Sequence, residues 1–189
     1  MSLDGKESKL LFEDKLIEIH TFPLKHGIPT NGFLIKEKMK ERKLLPEMIK
    51  GTGLKLEHLP KLKKGESVTD AHGKVYDYRD FTLPPKAGFS YAFCSDTAYW
   101  ETIVPFIQYV SVLYHEATFS EKDRERAKAM NHSTASQAAK IAKMAGVGKL
   151  FLGHLSARYD DTLLHLTESQ EIFPNTEVVE DGMSIVLSR

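Results

Sequence analysis

Val110-Ser111-Val112-Leu113-Tyr114-His115-Glu116-Ala117-Thr118 is the stretch on which the fold turns. Its first half is apolar and β-branched and reads as a buried strand over Val110–Tyr114. Its second half switches to ionisable and hydroxyl side chains. The same switch occurs on either side. Phe89-Ser90-Tyr91-Ala92-Phe93-Cys94 leads into Ser95-Asp96-Thr97, and the strand Lys149–Gly153 leads into His154-Leu155-Ser156-Ala157-Arg158. In sheets with helical connections the carboxyl ends of strands are where sites gather, so this repetition points to an α/β fold with one convergent site.

The helical connections can be read between the strands. Trp100–Tyr109 reads as a short helix disturbed by Pro105, and Glu121–Met130 as a charged helix. Ser133 or Thr134 can cap the next helix, whose apolar face is Ala135, Ala138, Ala139, Ala142 and Ala145 and which Gly146 stops. Asp160 or Asp161 opens a helix to about Glu171. Thr176–Glu180 and Met183–Leu187 read as a closing hairpin around Asp181-Gly182. Toward the amino terminus, Lys9–Glu13, Leu16–Phe22 and Gly32–Ile35 read as strands, and Pro23–Gly32 as a loop containing His26. Residues 1–8 read as a leader outside the fold.

Residues 36–80 differ from the rest. Gly, Pro and Lys are mixed with short apolar pieces too thin for a core, so the segment reads as a protruding arm inserted between residues 9–35 and 81–189. The chain of 189 residues has no net charge, yet Lys36–Glu66 holds ten basic and five acidic residues. A local +5 on a mildly acidic body fits contact with a polyanion, or else a solvated lysine-rich face. The ordinary apolar and charged fractions exclude wholesale disorder. No run approaches the ~18 apolar residues of a membrane helix. One cysteine, Cys94, excludes an internal disulfide and a multi-cysteine zinc site, and fits a reducing cytoplasm.

Imidazole nitrogens and carboxylate oxygens are zinc donors, and a carboxylate can bridge two metals that polarise a phosphoryl group. Glu116 can orient a neighbouring histidine, His132 can act as general acid, and Arg158 offers a forked phosphate donor. Each also has a structural reading: a strand-end histidine satisfied in its loop, Asp96 as a turn or cap, and His132-Ser133-Thr134 as a helix N-cap.

Together the clusters closely resemble a known family. His115-Glu116-Ala117-Thr118-Phe119, His132-Ser133-Thr134 followed by Gln137-Ala138-Ala139, and Gly153-His154-Leu155-Ser156-Ala157-Arg158-Tyr159 are similar to motifs of ribonuclease Z. These are the tRNA 3′-processing endoribonucleases of the metallo-β-lactamase superfamily. Lys61-Leu62-Lys63-Lys64-Gly65-Glu66 and Leu83-Pro84-Pro85-Lys86-Ala87-Gly88 resemble that family's arm and its return. The resemblance covers about residues 9–189. It implies an αββα sandwich and two zinc ions, with His26, Asp96 and His154 at metal positions and Asp96 as the bridging carboxylate. It places Glu116 and His132 at proton transfer and Arg158 on substrate phosphate. A basic arm bearing Lys61, Lys63 and Lys64 would grip precursor tRNA.

This sequence departs from the family at Ser95, where glycine is usual, and in the arm, where Gly51-Thr52-Gly53 is followed by Leu54-Lys55-Leu56. No His-x-His-x-Asp-His occurs in the chain. That family motif supplies four metal ligands and the water-activating aspartate. The resemblance therefore implies a carboxy-terminal half with an arm. It would bind zinc incompletely, be inactive alone, and form homodimers or other homo-oligomers to cover an exposed sheet face. The alternatives are a non-catalytic RNA-binding half-domain and another metallo-β-lactamase-superfamily phosphodiesterase.

Overall fold

A computed structural model describes residues 7–187; residues 1–6, most of the expected leader, lie outside the described residues. The chain divides into two compact units, one formed by residues up to Glu37 together with those from Phe89, the other by Lys38–Gly88.

The first unit is built on a seven-stranded sheet whose spatial order follows the sequence: β1 (Lys9–Glu13), β2 (Ile17–Leu24), β3 (Thr30–Glu37), β4 (Ser90–Cys94), β5 (Val112–Glu116), β6 (Lys149–Gly153) and β7 (Thr176–Val178). β1 to β4 pair antiparallel, and β4 to β7 parallel. Parallel pairs need crossovers. These are supplied by α1 (Arg124–Met130) and α2 (Ala135–Ala145) between β5 and β6, and by α3 (Leu163–Gln170) between β6 and β7.

Alternate strand residues face this helical layer. Leu34, Ala92, Cys94, Leu113, Leu150 and Leu152 form one core with Ala135, Ala138, Ala139, Ile141 and Ala142 of α2. Alanines let the helix approach the sheet closely. Thr134 caps α2 by accepting from the Gln137 amide, Gln137 answers on the Thr134 amide, and Gly146 ends the helix in the left-handed region.

The intervening strand residues face the other way. Phe33, Phe93, Tyr114 and Phe151 stand in register across β3 to β6. Among the described residues no helix covers this face, and Phe33 and Ile35 remain 40% and 37% exposed. Met183, Ile185 and Leu187 line a cavity of about 350 Å³ with Tyr91, Val112, Tyr114 and Phe151.

Several expectations need correction. The closing hairpin does not form. Thr176–Val178 pairs with β6 in parallel, and Met183–Leu187 is not a strand. Its alternation reflects side chains turned toward the open sheet face rather than pairing. Trp100–Tyr109 forms a 3-10 helix only over Glu101–Phe106, because Pro105 lacks an amide donor. Glu121–Met130 starts as a 3-10 turn before α1. α3 begins at Leu163, whose amide donates to Asp161.

The inserted unit closes later than the sequence reading of 36–80. β3 continues to Glu37, and Lys43–Leu44 pairs with Thr82–Leu83. It also has a small core, contrary to the thin-arm reading. Leu62, Val68 and Tyr76 are buried, with Leu44, Leu54, Leu59, Tyr78 and Phe81 packed against them. The Tyr76 hydroxyl donates to Asp70, whose carboxylate also receives the Lys74 and His72 amides across a Gly73 turn. Those donors hold the Asp70 carboxyl below the usual range. Arg42 stacks over Tyr78 and donates to Thr82.

A candidate metal and acid–base site at the strand ends

Glu116 ends β5 and is fully buried. Its Oε1 receives the Thr97 amide (2.8 Å) and His132 Nδ1 (2.7 Å). Its Oε2 receives the Thr118 amide (3.2 Å), the Thr118 hydroxyl (2.7 Å) and the Ser133 amide (3.1 Å). All five partners donate, which is what a carboxylate, an acceptor only, requires. The side chain ties together the loops after β4 and β5 and the turn between α1 and α2. Ser133 closes the ring by donating to the Thr97 carbonyl at 2.7 Å.

The same bonds set the histidine tautomers. His132 Nδ1 donates to Glu116, leaving Nε2 free. The Thr118 hydroxyl proton goes to Glu116, so its oxygen accepts from His154 Nδ1 at 2.9 Å. His26 Nδ1 lies 2.9 Å from the Asn131 carbonyl, which can only accept. Each ring is thus held through Nδ1, as the outer partners of metal-bound or proton-transferring histidines hold them.

His154 Nε2 faces Asp96 Oδ1 at 3.3 Å, an arrangement that either an ion pair or a cation shared between nitrogen and oxygen satisfies. Donor atoms of Asp96, His132 and His154 all lie within 4.8 Å of one another. This set of imidazoles and a carboxylate is the chemistry zinc prefers. His26 stands outside that group, its ring 5.1 Å from the His132 ring. Three of the four described non-glycine residues with positive φ belong here: Asp96 (53°), His154 (58°) and Asn131 (58°). Left-handed aspartate and histidine cost energy, and such strain concentrates at functional sites.

Arg158 is exposed beside this corner. It donates to Ser156 at 3.1 Å and lies over the Phe119 ring at 5.4 Å. His115 does not join the site. It points into the core, donates Nδ1 to the Glu116 carbonyl, and burial lowers its pKa. The reading of His132-Ser133-Thr134 as a plain cap is correct for Thr134 alone. Thr118, Thr97 and Asn131 position the site and carried little signal in the sequence. All three act wholly or partly through backbone amides and carbonyls, which side-chain identity does not advertise. The expected Lys61, Lys63 and Lys64 lie in the inserted unit. There Lys61 and Lys64 are exposed, while Lys63 pairs with Glu41 at 2.5 Å.

No family model matches the chain. Relatives do. It is 41% identical to ribonuclease Z of Parabacteroides distasonis over 97% of its own length and 60% of the relative's. It is 40% identical to ribonuclease Z of Porphyromonas gingivalis strain W83 over 98% of its length and 61% of the relative's. Over the part it spans, the chain is similar in sequence to ribonuclease Z. It spans about 60% of the length of these relatives. A metallo-β-lactamase fold protein from Bacillus subtilis superposes with a TM-score of 0.60 at 16% identity, covering 93% of this chain and 51% of that one. The short form of human tRNase Z superposes at 0.58 and 21% identity, covering 96% and 48%. The fold is that of the metallo-β-lactamases. The first unit supplies one seven-stranded sheet and one helical layer.

Proposed function

We propose that this chain carries the acid–base half of a zinc-dependent endoribonuclease that removes the 3′ trailer of precursor tRNA. The observation that supports it most is the buried Glu116–His132 pair set against the Asp96–His154 pair. In this reading Glu116 fixes the His132 ring through Nδ1 and pairs with its imidazolium form, whose Nε2 proton passes to the departing oxygen of the cleaved phosphodiester. Asp96, His154 and His26 would hold zinc, and His132 joins the first two in the tightest donor group. When bound, the metal supplies Lewis acidity toward a phosphoryl oxygen. Arg158 binds a neighbouring phosphate through its guanidinium fork. The exposed Lys61 and Lys64, with Lys63, grip the body of the tRNA. The reducing cytoplasm is the compartment that suits the lone buried Cys94.

The missing His-x-His-x-Asp-His leaves too few donors for two closed metal sites, so the chain alone should bind zinc weakly and cleave nothing. A homodimer formed across the open face with Phe33 and Ile35 would bury that surface. Elemental analysis after dialysis tests the metal claim, and sedimentation tests the dimer. Two tightly held zinc ions per chain, or trailer removal by the isolated chain, would overturn the half-site reading. A chain that neither binds precursor tRNA nor regains cleavage when the missing motif is supplied would overturn the ribonuclease reading.

A further inference from the structure

His132 also forms part of the wall of a second feature, a cavity of about 600 Å³ on the helical side of the site. Lys25 from the loop after β2, Arg124 and Lys128 from α1, and Lys140 from α2 line it, with Glu125 as the lining carboxylate. Arg124 and Lys128 are four apart on one helix face, a spacing at which like charges repel. Glu121 holds Arg124 at 2.6 Å. Among the described residues Lys25, Lys128 and Lys140 have no ion pair. This concentration of free cations stands on the part of the chain that is net acidic: outside Lys36–Glu66 the sequence carries five more acids than bases. Three lysines from three separate elements line one cavity with His132, none of them in an ion pair among the described residues and with Glu125 as the lining carboxylate, which leaves room for an anionic ligand that spans several charges.

We propose that this groove holds the phosphate backbone of the unpaired RNA strand next to the scissile bond, with Lys25, Lys128 and Lys140 each facing one phosphate. The proposal rests on the ribonuclease reading above and adds a grip separate from the inserted unit. Its role is to thread the strand past His132. The lysines bind the backbone rather than the bases, so the contact is independent of sequence and sensitive to salt.

The test uses the 189-residue chain and a fluorescent ten-nucleotide single-stranded RNA, too short to fold as tRNA. Affinity is measured by anisotropy across salt concentrations. Each single-strand phosphate contact contributes about 0.7 to the slope of log K against log salt, so Lys25→Ala/Lys128→Ala/Lys140→Ala should flatten it by about 2. The matching triple Lys→Arg variant should keep the wild-type slope. Lys61→Ala/Lys64→Ala should leave the oligonucleotide slope unchanged while weakening precursor-tRNA binding. An unchanged slope in the groove triple overturns the proposal. If the insert variants still lose tRNA affinity, the ribonuclease reading stands without it. An Arg triple as flat as the Ala triple also overturns it, because charge would then not be the contact. A chain that binds neither oligonucleotide nor precursor tRNA removes the groove and the ribonuclease reading together.

Discussion

The strand-end corner and the inserted unit hold their functional side chains in opposite ways. In the corner, Glu116 has no exposed surface and five partners, and each candidate histidine is fixed through one ring nitrogen. In the insert, Lys61 and Lys64 stand in solvent and Lys63 has a single surface partner. Proton transfer, the role proposed for this corner, demands placement to within a fraction of an ångström, which buried hydrogen bonds supply. Electrostatic grip on a polyanion demands only charge at the surface, where long side chains adapt.

The sharpest test of that contrast is His132→Ala in a form of the chain to which the family's ligand motif has been added and which has the proposed activity. Turnover should fall by roughly 10²- to 10⁴-fold with little change in KM. Unchanged turnover would demote His132 to a turn residue. Next is Glu116→Ala, which strips the Thr97, Thr118 and Ser133 amides of their acceptor. An unsatisfied buried group costs about 1–3 kcal/mol, so urea unfolding should show a loss of about 3 kcal/mol or more. A loss below about 1 kcal/mol would mean water replaces the carboxylate and the corner is looser than described.

Replacing 38–88 by a short turn should do the reverse. The Glu37 amide donates to the Phe89 carbonyl at 2.8 Å, so the excision joins neighbouring strands. The midpoint of thermal unfolding of the remaining body should hold while precursor-tRNA affinity collapses. Smaller still is the acid response of His165. It is buried on α3, edge-on to Tyr159 at 4.5 Å, without a hydrogen bond at either ring nitrogen among the described residues. Burial lowers its pKa from the ordinary 6.5. The unfolded chain therefore binds more protons there, and the contribution to stability is full above pH 6.5 and lost as pH falls through the lowered folded value. Between pH 7.5 and 5.5 the denaturant midpoint of wild type should fall relative to that of His165→Leu. Parallel curves would place the acid response elsewhere.

The strand-end clusters were legible because the same switch from an apolar run to ionisable side chains recurs at three strands and, taken together, resembles motifs of one family. The alanine face and cap of α2 were legible for similar reasons: a helix of this kind carries both signals within its own residues. The small core of the insert was hidden because Leu62, Val68 and Tyr76 meet only through folding, across segments with no periodic pattern. Met183–Leu187 misled because alternation reports a covered side, not a paired edge. The tie from Asn131 to His26 runs through a carbonyl, which no residue type advertises.

Asp96 and His154 hold the left-handed backbone at φ of 53° and 58°. Glycine takes that conformation without penalty. A lineage released from catalysis, or a laboratory selection that rewards heat resistance alone, would gain by placing glycine at both positions. Asp96 and His154 are therefore where loss of function would first be written into the sequence as a gain in stability.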